Sequence, residues 1–99
     1  MGTAYIDVDL TMIDHDDNLY PGVAKGLRHL KEKGYRLICW SGGGMEYARR
    51  MCEKQKIEGF FDYFLDKPAM IIDDAYETIT LPATKLKPSF WKNFIDKIE

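Results

Sequence analysis

Short apolar runs that end in polar residues, separated by stretches of helical periodicity, constrain this chain more than any other feature. Ala4 to Leu10 is a β-rich run interrupted only by Asp7 and Asp9. Tyr35 to Trp40 is a second run, apolar enough to be buried on both faces, and Ser41-Gly42-Gly43-Gly44 breaks it. Between the two, Pro21 can open a helix with Val23, Leu27 and Leu30 on one face and Gly34 as its stop. The spacing predicts a second helix from about Met45 to Lys56, with Met45, Ala48 and Cys52 facing inward. Tyr63 to Leu65 reads as a third strand and Met70-Ile71-Ile72 as a fourth, ending in Asp73-Asp74. Thr78 to Leu81 would be a short fifth. Ser89 can cap a last helix, in which Phe90, Trp91, Phe94, Ile95 and Ile98 recur at helical spacing. This alternation argues for an α/β fold, a parallel sheet with helices on both faces.

Ninety-nine residues suffice for one domain, 1–99, but not for a catalytic domain plus a separate cap. A net charge of −2 gives no electrostatic footprint for nucleic acid or an anionic membrane. Cys39 and Cys52, taken with His15 and His29, lack zinc-type spacing and read as reduced, buried thiols. No signal peptide or membrane span is visible, and Ile6 stands where a myristoylation signal wants Ser or Thr, so a cytoplasmic protein is expected. Asp14-His15-Asp16-Asp17-Asn18 invites a calcium reading. Leu19 and Lys25 occupy the positions where an EF-hand loop needs Gly and Glu, so the segment reads as a solvated flap. The Ser41 loop is followed by no Walker lysine, and no GxGxxG is present.

In a parallel α/β sheet, ligands bind beyond the carboxyl ends of the strands. Here those ends carry Asp7, Asp9 and Thr11, then Ser41 with its glycines, then Asp66-Lys67, then Asp73-Asp74. Carboxylates gathered at one edge repel unless a cation sits among them, and a hard oxygen site of this kind suits Mg²⁺. Ser41 and the amides of Gly42 and Gly43, at the start of a helix, form an anion site to which Lys67 adds positive charge. A metal, an anion cradle, a lysine and spare carboxylates describe phosphoryl transfer. One Asp can attack phosphorus while a second, two residues on, protonates the leaving oxygen.

The order Asp7-Val8-Asp9-Leu10-Thr11, a strand ending in Ser41, Lys67, and then Ile71-Ile72-Asp73-Asp74 resembles the four motifs of the haloacid dehalogenase-like (HAD) phosphohydrolases. The likeness runs from about residue 4 to 77. It implies a Rossmann-like three-layer α/β/α sheet. Asp7 would be the nucleophile that forms an aspartyl-phosphate, and Asp9 the general acid and later the base. Thr11 would steady the loop, while Ser41, Gly42 and Lys67 would bind the phosphoryl group. Mg²⁺ would be held by Asp7, the backbone carbonyl of Asp9, and Asp73, with Asp74 or Glu77 contributing through water. Asp9 favours phosphatase over dehalogenase, because the dehalogenase branch carries no acid at that position. Residues 10–19 and the stretch from the second helix to Lys67 are too short for a cap domain, so the resemblance is to a minimal, capless member.

The expected activity is therefore Mg²⁺-dependent phosphomonoester hydrolysis. Its substrate would be a small phosphorylated molecule or a phosphorylated macromolecule, with nucleic acid disfavoured by the acidic flap. Capless relatives leave an open site or borrow a lid, which makes a homo-oligomer an expected partner. Two other readings stand beside it. One is a catalytically weak HAD-like binding or regulatory module that keeps the metal and a phosphorylated ligand. The other is a receiver-like domain, which needs the paired acids first and a lone phosphoacceptor Asp on the middle strand; Ser41 stands there instead.

Overall fold

The computed structural model describes residues 2–74 together with Trp91. Strand β1 (Thr3–Asp7) leads through helix α1 (Val23–Glu32) to strand β2 (Arg36–Ser41), then helix α2 (Met45–Lys54), a single 3-10 turn (Glu58–Phe60) and strand β3 (Tyr63–Asp66). The strands form a parallel sheet in the order β1-β2-β3. Ile6 lies beside Cys39, which lies beside Phe64, and one row further on Asp7 lies beside Trp40 and Trp40 beside Leu65. This is an α/β fold with a three-stranded parallel sheet and two helices. The predicted fifth strand and the last helix lie outside the described residues, except for Trp91.

Strand alternation divides the side chains between two faces. Ala4 and Ile6 from β1 and Leu37 and Cys39 from β2 pack with Leu27 and Leu30 of α1 and with Ala48, Met51 and Cys52 of α2. Both helices cover this face, as right-handed crossovers require when the strand order advances in one direction. Tyr5, Ile38, Trp40, Tyr63 and Leu65 belong to the other face, where the Tyr5 and Trp40 rings meet at 4.8 Å. Cys39 and Cys52 are free and buried, with their sulfurs 3.7 Å apart across the β2–α2 contact. That hydrogen bond, with burial behind it, drives the Cys39 thiol far above its ordinary value and keeps it protonated.

The boundaries differ from expectation for local reasons. Helix α1 begins at Val23 rather than Pro21, because Tyr20–Val23 is a type II turn with Pro21 at its second position. Gly22 takes the positive φ (89°) that this turn needs, and the Val23 amide bonds back to Tyr20. Helix α1 ends as predicted: Gly34 (φ 91°) closes a Schellman motif through Tyr35 N to Leu30 O and Gly34 N to Lys31 O. Helix α2 ends in the same pattern with Lys56 in the left-handed position. Met45, expected inside, is exposed because it opens α2 above the edge of the sheet, and Met51 takes the inner place. Phe61 is buried, while Tyr63 points to the other face and is exposed.

The clearest correction concerns the fourth strand. Met70, Ile71 and Ile72 form no strand and are 75%, 58% and 89% exposed. Three apolar residues without a paired neighbour gain no ladder hydrogen bonds, and their hydropathy alone does not specify a partner. Asp73 and Asp74 therefore do not stand at the end of a paired strand. Among the described residues no helix is long and apolar enough to cross a membrane.

Candidate functional site

The carboxyl edge of the sheet is organised by the turn that follows β1. The Val8 carbonyl accepts from the amides of Thr11, Met12 and Ile13, and the Leu10 amide closes the turn onto Ile13 at 2.8 Å. Leu10 takes a left-handed conformation (φ 61°) to make this possible. Val8, Met12 and Ile13 are 1% exposed, so they pin the turn into the core and leave Asp7, Asp9 and Thr11 outside it. The mixture of apolar and acidic residues in this segment is thus one anchor set and one functional set. β1 stops at Asp7, short of the expected Leu10, because the chain leaves the sheet to build this turn.

Asp7 is fixed from two sides. Thr11 Oγ1 donates to its Oδ2 at 3.1 Å, and Lys67 Nζ lies 3.2 Å from its Oδ1. Lys67 reaches it from the far side of β2 because its own amide is held by the Ser41 carbonyl at 3.2 Å. Asp9 is exposed and accepts a hydrogen bond from the Tyr47 hydroxyl at 2.7 Å. That bond, reinforced by burial, pushes the Tyr47 phenol up to about 12. Asp7, Asp9, Thr11 and Lys67, singled out from sequence, are thus brought to one edge, and the indole of Trp91 braces the same loop by donating to the Thr11 carbonyl at 2.7 Å.

The three glycines of the Ser41 loop differ in their surroundings. Gly44 has φ 102°, a conformation that side chains rarely adopt. A Cβ at Gly43 would stand 3.2 Å from the Tyr47 ring, whereas one at Gly42 would meet nothing within 4 Å. Ser41 is buried, and its Oγ accepts from the Gly43 amide at 3.0 Å. That amide, expected in the anion cradle, is therefore used inside the loop. The first amide of α2, on Met45, is taken by Asp66 Oδ1 at 2.6 Å, so a carboxylate from β3 already sits on the helix N-terminus. The Gly43, Gly44 and Met45 amides are thus engaged within the protein, while Gly42 is exposed.

Among the described residues no group of three or more His, Cys, Asp or Glu is close enough to hold a metal ion. Asp73 and Asp74 follow the exposed Met70–Ile72 stretch. Of the residues expected at a Mg²⁺ centre, Asp7 and Asp9 share the carboxyl edge of the sheet. Glu77 lies outside the described residues.

The flap is a solvated loop, as expected. Asp14 Oδ1 accepts from the amides of Asp16 and Asn18, and Lys54 and Gln55 at the end of α2 reach Asp17.

Two contributors escaped the sequence reading. Tyr47 is the third residue of α2, and helical side chains lean toward the N-terminus, so a tyrosine in the first turn after the Ser41 loop leans over the strand ends. That is the signal that could have found it. Asp66 was placed at a strand end, but nothing in its spacing from Met45 marks it as the cap of another element's helix.

No protein-family model, no curated protein and no solved structure matches this chain.

Proposed function

We propose that the protein is a phosphomonoester hydrolase of the capless HAD type, working through an aspartyl-phosphate on Asp7. The observation that carries this reading is Lys67 at 3.2 Å from Asp7 Oδ1, with Thr11 on the other oxygen. An aspartate held between a lysine and a hydroxyl, with a second aspartate two residues on, is the equipment of phosphoryl transfer.

Asp7 attacks phosphorus as the bond to the leaving oxygen breaks, and Asp9 gives that oxygen its proton. Water then attacks the aspartyl-phosphate, Asp9 takes the water's proton, and inorganic phosphate leaves with Asp7 restored. Lys67 offsets the charge of the phosphoryl oxygens in both steps, and Ser41 offers its hydroxyl to the same group. The proposal includes Mg²⁺, which would offset phosphoryl charge further. Its proposed ligands are Asp7, the backbone carbonyl of Asp9, and Asp73, with Asp74 or Glu77 contributing through water. The three strands and two helices would belong to a Rossmann-like three-layer sheet. The substrate class is a small phosphorylated molecule or a phosphorylated macromolecule.

A second reading, a binding module with little turnover, draws support from the Gly43 and Met45 amides being engaged by Ser41 and Asp66. Hydrolysis of an aryl phosphate by wild type and Asp7→Asn, with Mg²⁺ and with chelator, separates the two. Metal-dependent release that vanishes in Asp7→Asn supports the phosphatase. No release by wild type, with Mg²⁺ still raising thermal stability, favours the binding module.

A further inference from the structure

The geometry points to Tyr47 as a positioning residue that aims Asp9 at the leaving group, an inference that rests on the phosphatase reading. Asp9 is exposed and follows the end of β1, next to Leu10 in its left-handed conformation. An exposed carboxyl rotates among rotamers unless something holds it, and a general acid works only at hydrogen-bond reach of its target. Tyr47 supplies the hold. Its hydroxyl donates to Asp9 Oδ1 at 2.7 Å, a length at the charge-assisted end of the range.

Tyr47 is itself well placed to be fixed. It stands in the first turn of α2, and the Arg50 guanidinium lies 5.6 Å from its ring centroid. The absent side chain of Gly43 leaves the space the ring occupies, since a Cβ there would lie 3.2 and 3.3 Å from the ring's Cδ2 and Cγ. The glycine next to Ser41-Gly42 thereby acquires a purpose: it lets a tyrosine lean back across the loop to the end of β1.

With Oδ1 accepting from Tyr47, the transferable proton of Asp9 belongs on Oδ2. As the oxygen–phosphorus bond breaks, the leaving oxygen keeps the bonding pair and takes that proton. The Asp9 carboxylate left behind remains hydrogen-bonded to Tyr47 and is ready to receive a proton from water in the second step. No oxidant or further reactant enters.

The test uses the dependence on leaving group. Phenyl phosphate, a poor leaving group, needs the acid, whereas 2,4-dinitrophenyl phosphate departs without one. Tyr47→Phe keeps the ring and removes only the donor. The expected result is a kcat for phenyl phosphate lowered roughly tenfold to a hundredfold, with KM unchanged and the dinitrophenyl ester hardly affected. Asp9→Asn combined with Tyr47→Phe should be no slower than Asp9→Asn alone, because both remove one function. In metal-free protein the side-chain carboxyl ¹³C resonance of Asp9, assigned through Asp9→Asn, should move in Tyr47→Phe. Equal loss on both esters, no loss on either, or an unmoved carboxyl resonance overturns the role of Tyr47 while leaving the phosphatase standing. Absence of turnover by wild type on both esters overturns the phosphatase reading, and the role of Tyr47 with it.

Discussion

Two Asp–Lys pairs sit at opposite ends of the same sheet. At the amino edge Lys31 meets Asp62 at 2.9 Å, and at the carboxyl edge Lys67 meets Asp7 at 3.2 Å. Exposure does not tell them apart, at 36% and 36% for the first pair against 43% and 30% for the second. Their surroundings do. Lys31 contacts both oxygens of Asp62, and the Leu37 amide donates to one of them at 2.8 Å, so that carboxylate ties α1 to the start of β2. A concavity of about 440 Å³ opens beside it, lined by Thr3, Lys31, Gly34, Tyr35, Arg36 and Asp62. It holds one acid, already spent on structure. At the other edge the acid is shared between a lysine and a threonine, and a second acid follows two residues on, held by a tyrosine from another element. An ion pair becomes a candidate site through the other reactive groups placed beside it, and the size of the neighbouring hollow is a poor guide.

The comparison breaks most sharply on the two aspartates. Asp7→Asn should lower phosphatase activity by at least about a thousandfold, because the attacking oxygen loses its charge. Asp62→Asn should leave kcat within about twofold, because it touches no reacting group. Steady-state turnover of an aryl phosphate by the two variants, side by side, is the measurement. Wild-type activity in Asp7→Asn would end the assignment of Asp7 as nucleophile. Asp9→Asn should cost about a hundredfold to ten thousandfold, the range of a lost general acid, and should retain phosphate on the protein in a quench experiment. An equal loss without any retained phosphate would move Asp9 out of the second step.

The lysines sharpen the contrast at a smaller scale. Lys67→Met should reduce kcat/KM by roughly a hundredfold, the effect of losing one preorganised charge at a phosphoryl group. Lys31→Met should leave kcat/KM in place and weaken the fold by about 1 kcal/mol or less, as exposed ion pairs do. Kinetics and urea denaturation on both variants check this together. If Lys31→Met proves the slower enzyme, the two ends have been assigned the wrong way round.

Much of this contrast was legible in the sequence, for identifiable reasons. Helical periodicity placed Val23, Leu27 and Leu30 inside, and the apolar run before Ser41 marked β2 as a strand buried over its middle residues. Asp7 and Lys67 were legible as strand-end residues, and a parallel sheet carries such residues to one edge wherever they lie in the chain. What was not legible depends on side chains from different elements meeting. Tyr47 and Asp9 are 38 residues apart, Met45 and Asp66 are 21 apart, and no local pattern encodes either hydrogen bond. Met70–Ile72 failed in the opposite way, since its apolar content suggested a strand that no pairing supports. Asp62 went unremarked for a similar reason: one acid between Phe61 and Tyr63 says nothing about Lys31 until α1 is laid beside β3.

The smallest effect tests whether Asp62 is purely structural. Its carboxyl is held below the ordinary carboxylate value, first by the Lys31 ammonium and then by the Leu37 amide. A group whose folded value is depressed stabilises the fold at pH above its unfolded value, and that contribution disappears as pH falls through the folded one. Wild type should therefore exceed Asp62→Asn in urea midpoint at pH 7 by a small margin, on the scale of an exposed ion pair. The margin should persist to about pH 4 and close below it as Asp62 takes up a proton. Raising salt should shrink the neutral-pH margin, because both partners are solvent-exposed. A margin that stays constant from pH 7 to pH 2 would mean that Asp62 acts through its shape and its bond to Leu37 rather than its charge. The resemblance between the two Asp–Lys pairs would then end at their distances.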